Sequence, residues 1–398
     1  MRIAYICADP GVPVFGRKGC SIHLQEVIRA LQNQGARVDL LAVRWGEECP
    51  ADLRSIRHHR LPSVPQGEPA VRERIAFSMN PDIYTDLELT GPYDLIYERY
   101  SLWSYAAMEY AQAAGIPSIL EVNAPLIEEQ AQYRGLVHRD VAEEVAKRVF
   151  KAAQTVVAVS EPIREYLAPW GITSKVQVIP NGVNGDRFAQ RPGRAISGDS
   201  DPFTVGFVGS LKPWHGLPHL VDAFHRLHQR VPQARLLIVG DGPQRPLLQR
   251  ELDRRGLAPC TQMTGAVPPD QIPALLGAMD VAVAPYPHQE NFYFSPLKVV
   301  EYMAAGLPVV VSAIGQLRHL IHHGETGLLC PPGDQAALAL ALEQLWRSPL
   351  QRQNLGQAAR RYALTHFTWE RIAQQILAIA QTQGDLPPQG RPCPAPIP

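Results

Sequence analysis

Short apolar runs alternate with amphipathic ones along this chain, and few architectures accept that order. Residues 2–8, RIAYICA, have the character of a buried strand, and the Gly/Pro-rich loop DPGVPVFGRKGCS follows. In IHLQEVIRALQNQGA the apolar residues at 24, 27, 28 and 31 keep the helical period, and RVDLLAV then returns to strand character. Strand, loop, helix, strand is a βαβ unit, which joins parallel strands through a helical crossover. The order recurs in YDLIYER (93–99), SYAAMEYAQAAG and PSILEVN. It recurs again in VAEEVAKRVFKAA, TVVAVS and the helix start SEPIREYLAPW.

The series breaks at residues 189–202, AQRPGRAISGDSDP, a polar stretch with the Pro and Gly content of a linker. A second series begins at FTVGFVGS (203–210) and runs through GLPHLVDAFHRLHQRVP, ARLLIVGDG, QRPLLQREL, VAVAPYP and GLLCPPGD. Two successive series predict an α/β protein of two Rossmann-like, doubly wound domains facing a cleft. The expected boundaries are 1–187 and 188–365, with helices over 366–384 and a Pro-rich, disordered tail over 385–398. A length of 398 residues exceeds one ordinary core, and 45% hydrophobic residues suits a globular chain.

Charge and cysteine content exclude several classes. Lys plus Arg and Asp plus Glu both number 38, so no overall field favours nucleic acid or an acidic membrane. The six cysteines, at 7, 20, 49, 260, 330 and 393, form no CxxC pair and no zinc-finger spacing. They read as free thiols in a reducing compartment. MRIAYICADP is not a signal peptide, and no apolar run of about 18 residues follows. The expected location is the cytoplasm, with peripheral contact to the inner face of a membrane left open. The basic run RSIRHHR (54–60) is either a solvated strand or loop, or a contact for an anionic membrane or lipid diphosphate.

The stretch SPLKVVEYMAAGLPVV, from Ser295 to Val310, carries the chemistry. Ser295 and Pro296 suit the N-cap and first position of a helix, whose free N–H groups and positive dipole end favour an anion. Lys298 in the first turn opposes that dipole, which points to a negative group nearby. Glu301 lies three residues on. An ordinary i,i+3 ion pair on a solvated face would account for both, at a few tenths of a kcal/mol. The almost all-valine strand that follows favours another account, because such a strand is buried on both faces. A helix at the carboxyl edge of that sheet borders the usual ligand crevice. There a glutamate can accept two hydrogen bonds from a ribose diol and a lysine can meet phosphate.

These residues resemble the donor-site segment of retaining GT-B glycosyltransferases of family 4 (glycosyl transferases group 1). KVQVIPNGVNGDRF, VGFVGSLKPWHG, LLIVGDGPQRPLL, VAVAPYP, GETGLLCPPGDQAAL and HFTWERIAQQIL agree with it in order and spacing, and GRKGCSIHLQEVIRALQNQGARVDLLAV resembles the acceptor-side glycine loop. The likeness covers roughly residues 1–382 and is stronger in the C-terminal half. It implies transfer of a sugar from a nucleotide diphosphate sugar to a glycan or lipid-linked acceptor with retained configuration. The N-terminal domain would serve the acceptor, the C-terminal domain would bind the donor, and the last helices would cross back to the N-terminal domain. Glu301 would bind the ribose. The backbone at Ser295, Pro296 and Leu297 would lie beside phosphates or sugar, although Pro296 has no N–H. Gly209 and Ser210 would lie under the diphosphate, and Gly265, Ala266 and Val267 would meet the base. No cofactor beyond the donor substrate is implied, and no Asp-x-Asp stands at a strand end to hold a metal ion.

The chain departs from the family pattern at four positions. Tyr293 stands where the family keeps a second glutamate, with Glu290 close enough to substitute. Ser210 and His215 stand where cations usually face the diphosphate, which leaves Lys212 and Lys298 as the available replacements. Asn123 matches a position where many relatives keep a histidine near the reacting sugar, or is a buried structural asparagine.

On the acceptor side, Gly16 and Gly19 permit close approach of a ligand or form a plain βα turn. His23, expected in the first turn of a helix, either serves the acceptor or packs. Glu121 and Asn123 end a strand at the carboxyl edge. Glu98 and Arg99 form either a further acceptor-side pair or an ordinary salt bridge. VGDG (239–242) lacks the third glycine of a dinucleotide fingerprint. Two rival functions fit the same features: a GT-B nucleotide-sugar 2-epimerase and a non-catalytic nucleotide-sugar binding protein.

Overall fold

A computed structural model of the protein describes residues 1–46, 48–188, 202–290, 292–295 and 297–384. Of the linker expected at 189–202, residues 189–201 lie outside the described residues, as does the tail at 385–398. The chain divides into two compact units, one of Met1–Ile179 with Glu370–Pro398 and one of Pro180–Trp369.

The first unit is built on β1 (Arg2–Cys7), β2 (Arg37–Ala42), β3 (Arg57–Arg60), β4 (Leu95–Arg99), β5 (Ser118–Val122), β6 (Thr155–Ala158) and β7 (Val176–Val178). Their spatial order is β3-β2-β1-β4-β5-β6-β7, and the ladders are parallel. The chain starts mid-sheet at β1, winds outward to β3, then returns to β4 on the other side of β1. The switch point therefore falls between β1 and β4, where doubly wound sheets open a crevice at their carboxyl ends.

The second unit repeats the plan with β8 (Thr204–Val208), β9 (Arg235–Val239), β10 (Thr261–Met263), β11 (Val281–Ala284), β12 (Val309–Ser312) and β13 (Leu328–Cys330). Its order is β10-β9-β8-β11-β12-β13, so its switch point lies between β8 and β11. Alternate residues feed two apolar layers. Val205, Phe207, Ile238, Val283 and Val310 pack on one face, and Val208, Val239, Ala284, Val309 and Val311 on the other. The valine run after Pro308 is thus buried on both faces, as its composition predicts.

Several local expectations are corrected. The first helix begins at Gly19, not Ile22, so His23 is its fifth residue and lies beyond the first turn. Glu98 and Arg99 do not pair with each other. They are consecutive in a strand and point to opposite faces of the sheet. The run RSIRHHR ends in edge strand β3, where His58 packs beside Phe15 and Trp45 at ring distances of 5.5 and 4.9 Å. Two helices absent from the sequence expectation, Pro69–Ser78 and Asn80–Thr90, fill the crossover from β3 to β4. The helix Trp369–Gly384 belongs to the first unit, where Gln383 donates to the hydroxyl of Thr155. Among the described residues no helix is long and apolar enough to cross a membrane.

Candidate donor and acceptor sites

In the second unit the helix Leu297–Ala304 packs against the carboxyl end of β8. Tyr302 fixes its height. The phenol oxygen accepts from the backbone N–H of Val208 at 2.8 Å and donates to the Val208 carbonyl at 3.0 Å, so a fully buried tyrosine is satisfied twice. Ser312 donates to the carbonyl of Tyr286 at 2.7 Å and braces the segment that leaves β11.

Lys298 rises between these two strand ends. Its ammonium lies 4.4 Å from the ring centre of Phe207 on β8 and 5.8 Å from that of Tyr286 beyond β11. The ammonium is fully buried and makes no hydrogen bond among the described residues. Aromatic faces recover part of the lost hydration of a cation but do not replace hydrogen-bond acceptors. Burial accordingly pulls the pKa of Lys298 down from 10.5 to about 7, with the charge of Glu301 acting in the opposite direction. A buried cation with no hydrogen-bond partner among the described residues is costly, and an anion beside it would offset that cost. A β-carbon added at Gly209 would come within 2.6 Å of this ammonium.

The glycines of VGS and VGDG serve backbone approach. A β-carbon at Gly240 would fall 2.0 Å from the Gly209 carbonyl oxygen, and the backbone N–H of Gly209 donates to Val239 at 2.9 Å. The loops after β8 and β9 interlock through that contact. His215 is held by donation from Nδ1 to the Ser210 carbonyl, and its ring stands 5.9 Å from both Phe207 and Tyr286. Burial, then the charge of Lys298, pushes its pKa down to about 3, so the imidazole is neutral at ordinary pH. Any buried positive charge here therefore belongs to Lys298 and not to His215. Ser210 is exposed, and the Lys212 ammonium lies 5.6 Å over the ring of Trp214.

Glu301 is half-buried. Among the described residues it makes no hydrogen-bonded i,i+3 pair with Lys298, and it pairs with Arg187 at 3.4 Å from Oε1. Arg187 also donates to the carbonyl of Pro269 at 2.7 Å. Ser295 is engaged by Asn181, whose backbone N–H donates to the serine hydroxyl at 3.2 Å and whose side-chain amide donates to its carbonyl at 2.7 Å. Pro296 lies outside the described residues, and Leu297 is half-buried. Gly265 accepts from the N–H of Gly240 at 3.0 Å, Ala266 beside it is exposed, and Val267 packs against the core. Tyr293 is half-buried with its ring 4.4 Å from Phe294, and Glu290 is exposed.

In the first unit a polar cluster forms at the carboxyl ends of β4 and β5. His23 Nε2 and Glu121 Oε1 are 2.8 Å apart with both side chains buried. Arg99 lies 3.7 Å from the other carboxylate oxygen and donates to the Asn123 amide oxygen. Burial raises the pKa of Glu121, but the charge and hydrogen bond of His23 and the charge of Arg99 outweigh it and hold the carboxyl at about 2. Glu98, on the opposite face, donates nothing and accepts from Ser104 at 2.5 Å; burial lifts its pKa to about 7. Gly16 is required by its own loop, since a β-carbon there would meet Ser21 at 2.7 Å and Pro13 at 2.9 Å. Gly19 is exposed at the start of its helix.

Sequence reasoning assigned no role to Arg187, Asn181, Phe207 or Tyr286. All four lie in stretches already singled out, KVQVIPNGVNGDRF, VGFVGS and VAVAPYP. Their partners are up to 114 residues away, however, and no local pattern names them.

Two doubly wound sheets, one with a buried cation at its switch point, define a class: proteins built from paired Rossmann-like α/β domains. Two family models match in tandem, Glycosyltransferase Family 4 over residues 17–187 and Glycosyl transferases group 1 over residues 202–348, and the chain belongs to family 4 of the glycosyltransferases. It is 27% identical over 307 residues to a glycogen synthase of Mycobacterium tuberculosis, covering 75% of this chain and 71% of that one. It is 27% identical over 395 residues to a D-inositol 3-phosphate glycosyltransferase of Kribbella flavida, covering 92% and 90%. The structure of Anabaena HepE in complex with UDP and glucose superposes with a TM-score of 0.73 at 23% identity, over 97% of this chain and all of that one, which shows the GT-B fold.

Proposed function

We propose that this glycosyltransferase moves a sugar from a nucleotide diphosphate sugar to a glycan or lipid-linked acceptor, with retained configuration and without a metal ion. The buried, unpaired ammonium of Lys298 carries this reading. A donor diphosphate beside it would supply the electrostatic partner that no described residue supplies. The same charge would stabilise the diphosphate as it leaves, which is the main electrostatic demand of the reaction. Glu301, one helical turn on, would accept from the ribose hydroxyls.

The glycosidic step needs no protein nucleophile. The bond from the anomeric carbon to the diphosphate oxygen breaks as the acceptor oxygen bonds to the same face of that carbon. The departing diphosphate takes the acceptor's proton. The protein contributes positioning and fixed charge. His23, Glu121, Arg99 and Asn123 would orient the acceptor from the first unit. The names of the relatives fit an acceptor of glycan or cyclitol type and a nucleotide donor.

The test is a melting-temperature screen with UDP-, GDP- and ADP-sugars, followed by transfer assays with the donor that stabilises the protein most. The expected result is product with the donor's own anomeric configuration, formed in the presence of a chelator, and at least a 100-fold loss in Lys298→Ala. Undiminished turnover in that variant would refute the assignment of Lys298. Incubation with donor alone separates transfer from epimerisation, which would yield an isomerised donor with no acceptor present.

A further inference from the structure

Residues Asn181 to Phe188 follow the helix Leu297–Ala304 along its whole length, fastened at three heights. Asn181 holds Ser295 before its start, Arg187 holds Glu301 in its middle, and Arg360 donates both to the carbonyl of Phe188 at 2.9 Å and to that of Ala304 at its end. Val183 and Phe188 are buried in the same core cluster as the helix, so the segment is anchored on both sides of Arg187. The Arg187 guanidinium has one firm contact, to Pro269 at 2.7 Å, and one longer one, to Glu301 at 3.4 Å. Pro269 lies two residues beyond Val267, so the arginine joins the Glu301 carboxylate to the loop that leaves β10.

We propose that Arg187 is a positioning residue that sets the protein's selectivity for ribose over deoxyribose in its nucleotide ligand. The inference rests on the reading of Glu301 as the ribose-binding group. A carboxylate discriminates for a hydroxyl only if it is held where that hydroxyl arrives, since a free side chain swings to other partners and loses orientation. Glu301 has three rotatable bonds. Arg187 restrains the end of that chain, and the Pro269 carbonyl restrains Arg187. The contact from Arg187 to Oε1, at 3.4 Å, is long enough for the carboxylate to turn toward an incoming diol without breaking the anchor to Pro269. Because the same guanidinium touches the loop beyond Val267, the ribose and base sides of the site are held in one register.

The experiment measures binding of UDP, GDP and ADP, and of their 2′-deoxy counterparts, to the full chain by calorimetry. The proteins compared are wild type, Arg187→Lys, Arg187→Ala and Glu301→Gln, with melting curves confirming that each is folded. For the preferred base, wild type is expected to bind the ribonucleotide at least about tenfold more tightly than its deoxy form, in line with one hydrogen bond to a charged group. Arg187→Ala is expected to bring that ratio to within about threefold by weakening the ribonucleotide alone, and Arg187→Lys to restore most of it. A ratio that Glu301→Gln abolishes and Arg187→Ala preserves overturns the role of Arg187 and leaves Glu301 standing. A wild-type ratio near one, or one that survives Glu301→Gln, overturns the ribose reading and the inference with it. Equal weakening of both nucleotides in Arg187→Ala would show a merely structural arginine and also overturn the proposal.

Discussion

Replacing Lys298 by methionine should stabilise the ligand-free protein while removing its activity. The drop of the ammonium's pKa from 10.5 to about 7 corresponds to about 5 kcal/mol by which burial disfavours the charged form. Methionine keeps most of the stem and needs no acceptor, so it fits the space between Phe207 and Tyr286. Loss of the contact between ammonium and ring faces takes back part of the gain. The net expectation at pH 6 is about 2–5 kcal/mol, or about 5–15 °C in the melting of a unit of this size. The sign changes little with pH but the size does. The unfolded chain keeps the proton up to about 10.5 and the folded protein only up to about 7, so wild type gains stability as pH rises between those values. At pH 9.5 the advantage of the variant should shrink to about 1 kcal/mol. Melting curves of both proteins at pH 6 and 9.5 supply the check. A variant that melts below wild type at pH 6, or a gap that stays constant across the range, would refute the buried unpaired charge.

Two further perturbations test neighbouring features. Glu98 has its pKa raised from 4.5 to about 7, so the folded protein holds a proton that the unfolded chain has lost. Wild type should lose stability as pH rises from 4.5 to 7, and Glu98→Gln, read by urea titration at pH 8, should be more stable by about 1–3 kcal/mol. Gly209→Ala places a methyl group against the Lys298 ammonium at a backbone φ of +147°, a region side chains rarely adopt. The lysine end can move aside, so the expected effect on binding is a donor KM at least tenfold higher, measured by initial rates, alongside a lower melting temperature from the strained backbone.

The sequence is most informative where the physics is local. Period-2 and period-3.6 apolar patterns name the strands and most helices, and the valine run at 309–311 identifies a strand buried on both faces. The crossover helices at 69–90 escape because Val71, Ile75 and Phe77 do not keep one stripe, and Pro69 and Pro81 interrupt the run. Strand alternation already implies that Glu98 and Arg99 diverge, and the structure shows each with a different partner. Lys298 is conspicuous in sequence for its apolar company. What the sequence lacks is the burial of its ammonium between Phe207 and Tyr286, which depends on β8 and β11 meeting at the switch point. Arg187 is less legible still. Its link to Glu301 joins residues 114 apart, and only the folded chain brings them together.

Lys298 is expected to be largely neutral without ligand above pH 7 and charged once a diphosphate lies beside it. Calorimetry of nucleotide-sugar binding at pH 8.5, in buffers of differing ionisation enthalpy, counts the protons taken up, since the diphosphate of a nucleotide sugar has none to exchange near neutrality. Wild type should take up close to one proton, and Lys298→Met none. Binding of the donor with no proton uptake in wild type, or with the same uptake in the variant, would contradict that expectation.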